Sequence, residues 1–210
     1  MGLRKRVSDG LYQVGPARYY QPTYRRIAES FGLQEGTLVD LGCGPGWVAI
    51  RMAERAAGAS VIGIDHSREM VAAGRRNGGH MANLRFLEMD GAQMSLDDGA
   101  VALCIAVQTA HHWTQPDAVL SEIARILRPD GRLVLLEADR QASTVPAGWI
   151  ERSGGLWPPD TVVKNGWRRF GMNETEWSTM RDLVEDAGLV VVRDQAFGFY
   201  RCIEAELPDG

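Results

Sequence analysis

The residues most able to do chemistry lie in one stretch, Val39-Asp40-Leu41-Gly42-Cys43-Gly44-Pro45-Gly46. Gly42, Gly44 and Gly46 lack a Cβ, so backbone there can come close to a ligand. The stretch stands between a short apolar segment and a helix-forming one. A helix that begins at such a turn offers unpaired N–H groups and a positive dipole end to a negative ligand group. About 20 residues on, Asp65 ends a second apolar segment, where a carboxylate can accept hydrogen bonds from ribose hydroxyls. Glycine loop and acid together point to a nucleoside-bearing ligand. A dinucleotide fingerprint would be Gly-x-Gly-x-x-Gly, but here the pattern is Gly42-x-Gly44-x-Gly46, with Trp47 in the last position. Asp40, just before the loop, would repel phosphates and suits a ligand that carries an ammonium group.

These residues resemble motif I of the class I S-adenosylmethionine (SAM)-dependent methyltransferases. SAM has an amine, a carboxylate, a sulfonium and an adenosine, which matches this mixture of acid and bare backbone. The resemblance runs from about Thr37 to Leu207 and is strongest from Val39 to Ala138. It implies a cofactor site of Asp40, Gly42, Cys43, Gly44, Gly46, Asp65, His66 and Met70, continuing through Asp90, Gly91, Ala92 and Gln108. Asp90 and the backbone after it match the slot that meets adenine in that family. Met70 could lie along an adenine face or simply pack in the core. The product would be S-adenosyl-L-homocysteine.

The elements that must position these groups alternate strand and helix, which predicts a parallel sheet covered on both faces. Strands are expected at Thr37–Leu41, Ser60–Ile64, Leu84–Glu88, Val101–Val107 and Arg132–Ala138. Helices are expected at Trp47–Ala57, Arg68–Asn77 (capped by Ser67), Pro116–Leu127 and Glu174–Ala187. Arg125-Ile126-Leu127-Arg128-Pro129-Asp130-Gly131 resembles the family's turn before strand five. The strands Leu189–Asp194 and Phe199–Leu207 are too close together for a parallel crossover, so they form a hairpin. The fold that the resemblance implies is α/β, a Rossmann-like seven-stranded sheet in the order 3-2-1-4-5-7-6 with strand 7 antiparallel and helices on both faces.

Ligands of open α/β sheets bind at the carboxyl ends of the strands, near the switch in strand order. Gln108-Thr109-Ala110-His111-His112-Trp113 follows strand four and should face the reacting methyl group. Histidine titrates near neutral pH, so His111 or His112 could act as a base, or the pair could merely shape the loop. The family's amide- and base-nitrogen enzymes carry Asn/Asp-Pro-Pro-Tyr here, and this chain does not. A small-molecule acceptor with an oxygen or carbon nucleophile is the expectation. The other readings are a non-catalytic SAM-binding scaffold or subunit and, further off, an NAD-dependent oxidoreductase.

Residues 1–210 are expected to form one domain. Within it, 1–36 would be a helical lid, with Pro16 and Pro22 breaking any long helix and a short helix at Tyr24–Phe31. The irregular segment 141–173 would cap the substrate pocket. Tyr19, Tyr20, Tyr24, Trp113, Trp149, Trp157 and Trp167 are the pocket candidates, and an aromatic face beside a sulfonium would add cation–π attraction. Arg168 and Arg169 could meet an anionic group or stay solvated.

With 23 Lys and Arg against 27 Asp and Glu, the net charge is −4, which argues against a nucleic-acid partner. The three cysteines, Cys43, Cys104 and Cys202, are scattered and show no metal-ligand spacing. Leu3-Arg4-Lys5-Arg6 is not followed by an apolar run, and no segment is apolar enough to span a bilayer, so a cytoplasmic location is expected. The sequence leaves the oligomeric state open.

Overall fold

Apolar strands buried on both faces need helices on both sides, and the chain supplies them in alternation. The structure, a computed structural model, describes residues 20–31, 35–142, 146–150 and 171–208. Its elements are α1 (Gln21–Phe31), β1 (Glu35–Leu41), α2 (Trp47–Arg55), β2 (Gly58–Asp65), α3 (Arg68–Gly78), β3 (Leu84–Glu88) and β4 (Val101–Val107). There follow a 3-10 turn at Ala110–His112, α4 (Pro116–Ile126), β5 (Leu127–Ala138), α5 (Glu174–Asp186), β6 (Val190–Phe197) and β7 (Tyr200–Glu206). The seven strands form one sheet in the order β3-β2-β1-β4-β5-β7-β6. Pairings are parallel from β3 to β5, and β7 runs antiparallel to both β5 and β6. The antiparallel strand separates this sheet from a purely parallel dinucleotide fold.

Side-chain alternation along each strand divides the core in two. On one face Leu38, Leu103 and Val134 pack with Ile27, Met52 and Val71 from α1, α2 and α3. On the other, Val39, Cys104 and Leu133 meet Ile123 of α4 and Trp177 and Val184 of α5. Asp40, between Val39 and Leu41, therefore projects toward α2. Trp177 is almost wholly buried, and its indole N–H donates to Asp194 at 2.9 Å, so its polar end is not left unpaired.

β1 and β2 begin two residues earlier than expected, α2 ends two residues sooner, and three further differences stand out. Pro22 does not break α1 but sits in its first turn, where the missing N–H costs nothing. β5 starts at Leu127 rather than Arg132, because Leu127 already pairs with Val101 and Arg132 with Leu103, and the four residues between them form a bulge inside the strand. The hairpin turn shortens to Gly198-Phe199. Gly198 has φ 66°, and the Trp149 ring lies 2.5 Å from where a Cβ would stand. Of the lid and cap candidates, Tyr19, Trp157, Trp167, Arg168 and Arg169 lie outside the described residues.

Candidate active site

The carboxyl ends of β3, β2, β1 and β4 stand side by side, and each carries part of the site. At the end of β1 the chain turns through Gly42, Gly44 and Gly46, with φ of 69°, 53° and 86°. These left-handed values are what glycine tolerates and other residues resist. Nothing lies within 4 Å of a Cβ built on Gly44, so the middle of the loop faces open space. At Gly42, by contrast, a Cβ would overlap the Thr109 hydroxyl, and at Gly46 it would stand 2.5 Å from the Phe86 ring. Gly42→Ala is accordingly expected to cost about 1–3 kcal/mol of stability, through backbone strain and displacement of Thr109. A thermal melt checks this; an unchanged midpoint would show that the turn can be rebuilt without strain.

Two acids hold the loop. α2 begins at Gly46 with no side-chain cap on its first residues, and the Asp40 carboxylate supplies one, accepting Ala49 N–H at 3.0 Å. One of the N–H groups expected to be open is thus already taken. Asp65, the last residue of β2, accepts Gly44 N–H at 2.9 Å and Ser67 N–H at 2.8 Å. It ties the glycine loop to the cap of α3, where Ser67 accepts Met70 N–H. A carboxylate has about four acceptor positions, so these two bonds leave Asp65 room for ribose hydroxyls.

Burial, reinforced by the nearby Asp65 charge, pushes the Asp40 carboxyl up to about 7, against the pull of its bond to Ala49. Two acids beside an open glycine loop are the charge arrangement that a cation-bearing ligand would match. An ammonium group there would offset the repulsion between them. The donor set and the open space at Gly44 fit SAM.

The remaining cofactor candidates are placed unevenly. Asp90 is exposed beyond β3, and its carboxylate accepts Ala92 N–H at 2.9 Å, so that N–H is occupied. Gly91 and Met70 are half-buried, and His66 is exposed, with its ring 3.7 Å from Asp65. Cys43 is buried, and burial chiefly, with Asp40 and Asp65 nearby, holds its thiol well above the usual range. It is a packing residue in its present state. Arg125 of α4 steadies the chain after Asp90 by donating to the Met94 and Leu96 carbonyls at 2.9 Å.

At the end of β4, Gln108 has φ 53°, the only non-glycine residue described with a positive value. His111 and His112 follow in the 3-10 turn, their rings 4.0 Å apart. They are not equivalent. His112 is exposed, whereas His111 has a side chain 17% exposed and places Nδ1 2.9 Å from Glu137 Oε2. Sequence reasoning missed Glu137. The signal was available: Leu133-Val134-Leu135-Leu136-Glu137-Ala138 puts one acid at the end of an otherwise apolar strand, as with Asp40 and Asp65.

The pocket candidates do not form one set. Tyr20, Tyr24 and Trp149 join Phe197, Phe199 and Tyr200 in an aromatic group between α1 and the β6–β7 hairpin. Trp113 packs in the other core, with α4 and α5. The reason is its place in the turn: Trp113 follows the 3-10 segment and donates its N–H to Ala110, which lies in that second core. Among the described residues no group of three His, Cys, Asp or Glu is placed to hold a metal. No described helix is long and apolar enough to cross a membrane.

Comparison with known proteins agrees with this geometry. The model of the family described as "Methyltransferase domain" matches residues 39–135. Demethylmenaquinone methyltransferase of Thermus thermophilus is 34% identical over 117 residues, 54% of this chain and 53% of that protein. Nocamycin O-methyltransferase of Saccharothrix syringae is 32% identical over 130 residues, 60% of this chain and 46% of that one. The chain spans about half the length of the curated relatives it matches. Among solved structures, a SAM-dependent methyltransferase from Aquifex aeolicus superimposes with a TM-score of 0.67 at 22% identity, covering 97% of this chain and 96% of that one. The strand order, the antiparallel β7 and the family match together establish that the chain carries a class I SAM-dependent methyltransferase domain.

Proposed function

We propose that this chain transfers a methyl group from SAM to a small-molecule acceptor through an oxygen or carbon nucleophile, with His111 as the base. The observation that carries the reading is the contact of His111 with buried Glu137 at the end of the sheet where the glycine loop opens. SAM would supply a sulfonium-bound methyl group, whose C–S bonding pair returns to sulfur as the new bond forms. In-line transfer of this kind needs positioning and exclusion of water more than covalent help. The chain's own residues divide that work. Asp40 and the loop would hold the amino-acid end, Asp65 the ribose, and Asp90 with Gly91 the adenine. His111 would take the acceptor's proton. Tyr20, Tyr24 and Trp149 would form an apolar wall near the acceptor.

A small acceptor is also what the printed names of the two relatives describe for those proteins. The acidic balance of the chain argues the same way, since a nucleic-acid substrate would favour a basic surface.

The test incubates the protein and methyl-labelled SAM separately with a small-metabolite extract, RNA, DNA and denatured protein. Label is expected in the metabolite pool alone. Label in RNA or protein overturns the acceptor class. Bound SAM with no label in any pool favours the scaffold reading.

A further inference from the structure

A carboxylate taken out of water needs polar partners around it, and Glu137, fully buried, has three. Its Oε1 accepts Ala110 N–H at 2.7 Å. Its Oε2 accepts the Gln108 side-chain amide at 3.0 Å and lies 2.9 Å from His111 Nδ1. All three groups come from the turn that leaves β4, so one side chain of β5 sets the shape of that turn. The left-handed backbone at Gln108 is uncommon for a residue with a Cβ, and its amide is held by this same acid.

We propose that Glu137 is a positioning residue that fixes His111 as the Nδ1–H tautomer and so makes Nε2 the proton acceptor. This rests on the reading of His111 as the base. An ionised carboxylate only accepts hydrogen bonds, so the proton between the two groups resides on Nδ1 and the neutral ring carries its lone pair on Nε2. The proton of the acceptor's O–H or C–H passes to Nε2, and its bonding pair stays on the acceptor as the nucleophile. The imidazolium that results is paired at once with Glu137.

The acceptor class narrows accordingly. It is a compound that arrives protonated at neutral pH and must lose that proton to react, such as a phenol or an enolisable carbonyl compound. Among the described residues, the ionisable groups found beside this pair are His112, against the His111 ring, and Arg201. Arg201 stands opposite Glu137 in register on β7 and is itself paired with Glu174 and Asp194.

The test is heteronuclear NMR of the histidine side chains in the full chain, with His111→Gln used to assign the His111 signals. In the wild type the neutral His111 ring is expected to carry its proton on Nδ1. In Glu137→Gln the new amide can donate to Nδ1, so the proton should move to Nε2. The titration midpoint should then fall by about one pH unit or more, a roughly tenfold loss of proton affinity. A purely structural Glu137 would lower the melting temperature and leave tautomer and midpoint unchanged.

An Nε2–H tautomer in the wild type, or an unmoved midpoint in folded Glu137→Gln, overturns the proposal. If Glu137→Gln does not fold, the wild-type tautomer alone decides. The base reading fails separately: label transfer that survives His111→Ala removes it, whatever the tautomer.

Discussion

Asp40→Asn is expected to make the ligand-free protein more stable at pH 8 and at the same time weaken its hold on SAM. Burial raises the Asp40 carboxyl from 3.8 to about 7, so between those values the folded chain binds a proton that the unfolded chain has released. The contribution of this group to stability is fully present below about pH 4 and is lost as pH rises through about 7. Asparagine keeps an oxygen for Ala49 N–H and never ionises. Relief of the buried charge should therefore raise stability at pH 8 by about 1–4 kcal/mol, with the gain shrinking toward pH 5. The cofactor follows the opposite sign, because an ammonium group wants the ionised acid. SAM affinity of the wild type should rise with pH through about 7, and Asp40→Asn should remove that dependence and cost about tenfold or more at pH 8. Melting curves and titration calorimetry at the two pH values check both halves. Equal affinity in the variant would reduce Asp40 to a helix cap.

Asp65→Ala should be the more damaging change. It removes the expected ribose acceptor and also releases Gly44 N–H and Ser67 N–H, the two bonds that join the glycine loop to α3. The SAM dissociation constant is expected to rise roughly 10- to 100-fold, the scale of one or two lost charge-assisted hydrogen bonds. Asp65 also helps raise the Asp40 carboxyl, so its loss should move the pH dependence of stability to lower pH. An unchanged dissociation constant would sink the ribose role. A raised constant with an unmoved pH profile would show that burial alone governs Asp40.

Much of this arrangement was legible from residue types. The alternation of strand and helix and the closing hairpin were readable as local pattern, and the strand order came with the family resemblance. Strands β3 and β4 fall on their expected bounds, β4 because it is a continuous apolar run and β3 because Leu84 and Phe86 face inward on either side of exposed Arg85. β5 did not, because Arg128-Pro129-Asp130-Gly131 reads as a turn before the strand, whereas the pairing of Leu127 with Val101 makes it a bulge within the strand. The glycine loop and the two acids that hold it were readable because they sit at fixed offsets along the chain. Glu137 was not, since its partner lies 26 residues away and only the sheet brings them together. Trp113 packs apart from the other aromatic candidates for a related reason. An aromatic residue near a strand end can turn to either face of the sheet, and the 3-10 turn decides which.

The antiparallel β7 has a consequence for the order in which the site can assemble during synthesis. The glycine loop, Asp65 and Asp90 belong to consecutive elements, so a nascent chain can bring them together by contacts between neighbours. The aromatic group beside α1 cannot form that way. It joins Tyr20 to Phe199, across nearly the whole of the described chain. Because β7 enters the sheet beside β5, its first residues arrive at the ligand end only after every other strand has been made. The glycine loop and its acids are thus a local product of the chain, and the aromatic group is a late one, closed by the hairpin.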